Sequence, residues 1–248
     1  MLVGLVSAKG SPGVTTAALA LASSWPRTAL LLEADPFGGD VRAGLGRGEW
    51  PLSAGLAEVV VDLRSIDIHE ALNQRVHRPA PYAPPVLAGL GCVGQAPSVP
   101  WSRLGAELAR LAGADVVADC GRFTPADGVA PLLQVCDALV LVTNSSLRAV
   151  RAAARIAPQL QAELAVAPDD PHVMVLVIGA DCPYSVAEIA QGCRLPPLGE
   201  LPDDRRAAGV WSDGDPTWRA FPRSPLQREA RRLATKLASL GTRGRRSA

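Results

Sequence analysis

The stretch Ser7 to Thr16, reading S-A-K-G-S-P-G-V-T-T, constrains this chain more than any other. It lies between a short apolar run, Leu2 to Val6, and an Ala/Leu-rich helical pattern, Ala17 to Ser23. A buried strand that runs into a glycine turn and then into a helix opening on Thr15 and Thr16 is the setting of a phosphate-binding loop. Backbone N–H groups and the positive end of the helix dipole there face an anion. The Walker A pattern, G-x-x-x-x-G-K-[ST], puts a lysine directly before the hydroxyl residue, and here that position is Val14. Whether a nucleotide site survives this change is the main question the sequence poses.

Continuous apolar runs at Leu2–Val6, Thr28–Leu32, Val86–Leu90, Ala114–Ala118, Ala138–Thr143, Val173–Ile178 and Leu195–Leu201 predict buried strands. Helical patterns are expected over 15–24, 54–63, 68–76, 103–112, 131–136, 147–160, 186–191 and 225–240, with Ser145 or Ser146 capping the sixth. Strands alternating with helices imply an α/β fold, a doubly wound, mostly parallel sheet flanked by helices on both faces. No repeat or linker divides the chain, so a single domain is expected over 1–240, followed by a disordered basic tail, 241–248.

The 248 residues are 48% apolar and 20% charged, as in an ordinary globular protein. The net charge of +1 is uneven: Arg219 to Ala248 holds eight Arg and one Lys against Glu229 alone. That segment suggests an anionic neighbour, DNA or an anionic membrane surface, or is simply a solvated helix. The helix at 225–240 is amphipathic and is expected to pack on the sheet, a membrane-surface role being the alternative. Only Lys9 and Lys236 are lysines in this Arg-rich chain, and a compact ammonium inside the loop suits a phosphate role. Cys92, Cys120, Cys136, Cys182 and Cys193 show no C-x-x-C spacing and are expected to be small buried hydrophobes in a reducing compartment. No basic region precedes the apolar start, and no apolar run reaches the roughly 18 residues of a membrane span, so a cytoplasmic location is expected.

Two strand ends carry acids. Glu33-Ala34-Asp35-Pro36-Phe37-Gly38-Gly39-Asp40 follows the second predicted strand, and Asp119-Cys120-Gly121 follows the Ala114 strand. Ligands of open α/β sheets sit outside the carboxyl ends of the strands, so these acids face the crevice that the loop faces. A polar turn explains the glycines of the first segment but not its three acids.

In this order the motifs resemble the MinD/ParA family of deviant Walker A ATPases, which position cellular components. The family loop K-G-G-x-G-K-[ST]-[ST] is similar to Lys9-Gly10-Ser11-Pro12-Gly13-Val14-Thr15-Thr16. Its switch I, D-x-D-P-x-x-G-[ND], resembles Glu33 to Asp40, and its switch II resembles Asp119-Cys120-Gly121-Arg122. Its Pro-Asp base loop resembles Leu201-Pro202-Asp203-Asp204. The resemblance implies ATP and Mg²⁺ as cofactors. It implies nucleotide contacts from Gly10, Ser11, Gly13, Val14, Thr15, Thr16, Pro202 and Asp204, and switch roles for Glu33, Asp40, Asp119 and Gly121. Thr15 and Asp119 would support the metal, Asp35 would orient the attacking water, and Lys9 would reach the phosphates of a second copy in a homodimer.

Two departures stand out. Val14 removes the in-cis lysine, and Gly179-Ala180-Asp181 stands where family members often carry an adenine-reading Asn. The implied function is an ATP-dependent dimerising switch that positions or regulates a cellular machine, acting on a protein partner or cargo the sequence does not name. The alternative is a pseudo-ATPase scaffold or adaptor that keeps the fold but does not hydrolyse, or does not bind, nucleotide. At most a weak ATPase is expected.

Overall fold

The computed structural model describes residues 1–9, 13–125, 128–164, 170–179 and 183–244. Its frame is a seven-stranded sheet of β1 (Leu2–Ser7), β2 (Ala29–Glu33), β3 (Val86–Leu87), β4 (Asp115–Arg122), β5 (Ala138–Asn144), β6 (Val173–Ile178) and β7 (Pro197–Leu201). The strand order is β3-β2-β4-β1-β5-β6-β7. Every strand pairing in it is parallel. Strands covered on both faces read as unbroken apolar runs, which is why β1 is buried from end to end.

The helices are α1 (Val14–Ser23), α2 (Leu56–Asp62), α3 (Ile68–Arg75), α4 (Trp101–Ala109), α5 (Ala130–Leu133), α6 (Leu147–Glu163), α7 (Val186–Cys193), α8 (Arg205–Ser212) and α9 (Pro225–Gly244). Alternation along β1 sends Leu2 and Val6 to one core, and Val3 and Leu5 to the other. Residues of α2 to α7 fill the first core; α1, α8 and α9 fill the second. The chain leaves β1 toward β2 and β3, returns through β4, and then continues on the far side of β1 with β5. The strand order therefore reverses at β1, and a crevice opens at such a point, at the carboxyl ends of the strands.

Several expectations change. β4 runs on through Cys120 and Gly121 to Arg122, because Ser7 of β1 pairs with Arg122 after a register shift, so Asp119 sits inside a strand and not at its end. β3 pairs over only two residues. The helix α8 was not expected; Asp204 caps it, its Oδ1 accepting from the Ala207 N–H at 3.1 Å. Helix α9 extends four residues past its expected end at 240, to Gly244.

Leu226, Ala230, Leu233, Ala234, Leu237 and Ala238 of α9 are all buried in the second core, so its apolar face packs on the domain and is not free to lie on a membrane. Lys236 donates to the carbonyls of Pro197 and Leu198 at 3.0 and 2.9 Å, tying α9 to β7. Cys120 and Cys193 are buried as expected, but Cys92 is exposed, and Cys182 lies outside the described residues. No helix among the described residues is long and apolar enough to cross a membrane.

Candidate functional site

Helix α1 begins at Gly13, whose left-handed backbone (φ 87°) turns the chain out of the loop and into the helix. Gly10 and Ser11 lie outside the described residues. No acidic residue belongs to the first turn of α1 itself, so none of its own side chains repels an anion from the positive helix end. Val14 is 6% exposed and packs in the core with Leu5, Ala18 and Leu201. The position that carries lysine in a Walker A loop is therefore a core position in this chain.

A groove of about 700 Å³ opens beside this helix start. Gly13, Thr16 and Ala17 form one wall, Asn144, Ser145 and Ser146 another, and Ile178, Gly179, Pro202, Asp203 and Asp204 the floor and far side, with Ala208 and Leu226 behind. The Ser145 hydroxyl donates to the Gly179 carbonyl at 2.8 Å, which joins the ends of β5 and β6 beneath the groove. Gly13, Thr16, Pro202 and Asp204 are thus brought together, although Asp204 also spends one oxygen on its α8 cap. Asp181, at the position of the missing Asn, lies outside the described residues.

The acids form a second centre under the other side of the loop. Glu33 and Asp119 are register partners across β2 and β4, so their side chains share the α1 face of the sheet. Asp119, 1% exposed, accepts the Thr15 hydroxyl and the Gly121 N–H, the latter at 3.0 Å. Burial pushes its carboxyl up to about 6, with Thr15 and Gly121 opposing the shift and Asp35 adding to it. Glu33, 2% exposed, accepts the N–H groups of Val41 and Gly89 at 2.9 and 2.7 Å. Desolvation raises it to about 7 against those two hydrogen bonds.

Two glycines leave the room for Glu33: a Cβ on Gly39 would overlap its carboxylate, and one on Gly89 would press on its Cγ. Asp35 accepts from the Phe37 N–H at 2.8 Å and packs on Gly121, where a Cβ would overlap its carboxylate. The two expected switch segments therefore touch, through Asp35 against Gly121 and through the Ala34 N–H donating to the Asp119 carbonyl at 2.7 Å. Asp40 is exposed and outside this cluster's hydrogen bonds, though its charge adds to the upward shift of Glu33. Lys9 is exposed and does not line the groove; it lines a separate cavity of about 220 Å³ between the loop and the start of α6.

These residues fit a nucleotide. The groove has the volume of a small-molecule site, roughly 300 to 1,000 Å³, and ends at a helix start with unopposed N–H groups. They fit a magnesium ion only as one carried on phosphates: among the described residues no group of three or more His, Cys, Asp or Glu side chains is placed to hold a metal. Mg²⁺ commonly takes one or two protein ligands beside phosphates and waters, and Thr15 with Asp119 could supply them. Sequence reasoning missed Gly39, Gly89, Ala208 and Leu226. Gly39 lies inside the switch I pattern, which does not say what it makes room for; Gly89 cradles a residue 56 positions away, and the last two reach the groove on helices α8 and α9, so no local pattern marks these three.

No protein-family model matches the chain, and no curated protein matches its sequence. Solved structures do match. A ParA family ATPase from Chlorobium tepidum TLS superposes with a TM-score of 0.73 at 20% identity, covering 94% of this chain and 98% of that one. The septum site-determining protein MinD of Pyrococcus horikoshii OT3, in complex with Mg-ADP, gives 0.72 at 16% identity, covering 97% and 96%. A plasmid partition protein from Borrelia burgdorferi gives 0.64 at 12% identity, covering 96% and 97%. With its all-parallel seven-stranded sheet, its crevice at β1 and these neighbours over nearly its whole length, the chain has the MinD/ParA-like P-loop NTPase fold.

Proposed function

We propose that this protein is a nucleotide-dependent switch of the MinD/ParA kind, binding ATP with Mg²⁺ in the groove beside α1 and dimerising to position or regulate a cellular machine. The observation that carries this reading is the joint placement of Gly13 and Thr16 on the groove wall with Thr15 bonded to the buried Asp119. Bound Mg²⁺ would neutralise phosphate charge. Gly13, Thr15 and Thr16 would meet the phosphates, Pro202 and Asp204 the nucleoside end, and Asp35 would orient a water. Lys9, exposed beside the groove, is free to act on a second copy's phosphates. The exposed Arg228 and Arg231 of α9 give an anionic partner, nucleic acid or lipid headgroup, a surface to meet.

The burial of Val14 favours a second reading, a scaffold that binds nucleotide without turning it over, because a cation on the transferring phosphoryl group is a large part of such catalysis. Sedimentation velocity tests the switch. Wild type is expected to shift from monomer to dimer with Mg-ATP, and Lys9→Ala is expected to stay monomeric. Identical profiles with and without nucleotide in both proteins contradict it, and dimerisation without phosphate release supports the scaffold.

A further inference from the structure

Two cationic side chains from separate parts of the described chain line the cavity at Lys9. Lys9 comes from the loop after β1, and Arg148 from the first turn of α6; Thr143, Asn144 and Ser146 complete the polar lining. No acidic residue is among the described residues that line it. Neither cation makes a hydrogen bond or ion pair with another described residue. Two unpaired positive charges on one cavity repel each other unless an anion sits between them.

Arg148 also breaks a local rule. It stands in the first turn of α6, where the helix dipole disfavours a cation, and no acid in that turn offsets it. Ser146 caps the helix by accepting from the Ala149 N–H at 3.4 Å, which leaves the N–H groups of Leu147 and Arg148 at the same end. A local rule broken without local compensation marks a functional position. The cavity shares Asn144 and Ser146 with the nucleotide groove, so the two are contiguous.

We propose that Arg148 is a second phosphate-binding cation at the start of α6, forming with Lys9, whose phosphate role the family resemblance already implies, a centre that supplies positive charge Val14 cannot. A planar guanidinium can engage two phosphate oxygens at once, and Lys9, on the same cavity, adds a point charge. The centre rests on the nucleotide reading for its natural ligand, a nucleoside triphosphate of the same chain or of a second copy, but its chemistry is that of any polyphosphate.

The test is calorimetric titration of wild type and Arg148→Gln with AMP, Mg-ATP and inorganic tripolyphosphate, with sedimentation of each mixture. Arg148 is exposed, so the variant is expected to fold, which far-UV circular dichroism checks. Wild type is expected to prefer Mg-ATP over AMP. Arg148→Gln is expected to lose about tenfold or more in affinity for Mg-ATP and tripolyphosphate, with AMP unchanged. A loss confined to mixtures that contain dimer assigns the phosphate to the second copy; a loss in the monomer assigns it to the same chain.

Equal affinities for Mg-ATP and tripolyphosphate in both proteins overturn the centre and leave the nucleotide reading standing. Arg148-dependent binding of tripolyphosphate with no binding of AMP or Mg-ATP supports the centre and removes the nucleotide reading. No binding of any of the three overturns both.

Discussion

Glu33 shows what a single buried acid does here. Its carboxylate holds the N–H of Val41 on one side and that of Gly89 on the other, so it latches the segment after β2 to the segment after β3. In the folded protein it holds its proton up to about pH 7, against 4.5 for an ordinary glutamate. Between those values the folded state binds more protons than the unfolded chain, so stability falls as pH rises through that window. The fall attributable to Glu33 is on the order of 3 kcal/mol. Urea unfolding is therefore expected to show a higher midpoint at pH 5 than at pH 8, and Glu33→Gln to remove a large part of the difference, the remainder coming from the raised carboxyl of Asp119. A slope unchanged in the variant contradicts the assignment. Gly39→Ala, which places a methyl against the same carboxylate, is expected to cost about 1 to 3 kcal/mol, and Glu33→Asp in that background to recover part of it. That an acid follows the β2 run was plain in the sequence. Its partner at Gly89 lies 56 residues away, and no local pattern joins the two.

Among the elements, the strands are the most legible because parallel strands covered on both faces carry apolar runs, and β1, β5 and β6 do, with polar residues only at the carboxyl ends of β1 and β5. The length of β4 was not legible. Gly121 and Arg122 are poor strand formers that stay in the sheet because Ser7 pairs with Arg122. Helix α8 was hidden for a similar reason. It follows a Pro-Asp-Asp turn and has only Ala207, Val210 and Trp211 as apolar anchors, and these matter once α1 and α9 are beside them. Helix α9 was visible as an amphipathic pattern, and the structure decides its use: Leu233 is fully buried and lies over Gly199 of β7. Leu233→Ala is expected to destabilise by about 2 to 5 kcal/mol in chemical denaturation, and Leu240→Ala, half-buried, by clearly less. Equal small losses at both positions contradict the packing of α9 as a core element. On the opposite face, Arg228→Gln with Arg231→Gln is expected to lower the salt at which the protein leaves a polyanionic column, without changing its unfolding midpoint.

At the scale of the whole molecule, one topological fact gathers the chemistry: the reversal of strand order at β1 puts the loop, the β5 and β6 ends and the base loop around one groove, while β2 and β4 set the acids beneath it. The order of motifs along the chain made that gathering readable. What the order could not convey is that Val14 is buried in the core and that Lys9 and Arg148 line a second cavity next to the groove. The central claim is that the groove still binds nucleotide, and thermal unfolding with and without Mg-ATP tests it most directly. At a ligand concentration about 100 times the dissociation constant, binding adds about 2.7 kcal/mol, which for a chain of this size raises the midpoint by roughly 5 to 10 °C. Such a rise is expected with Mg-ATP and a smaller one with ATP and a chelator; an unfolding curve that no nucleotide moves, at millimolar concentration and with Mg²⁺ present, overturns nucleotide binding in the groove.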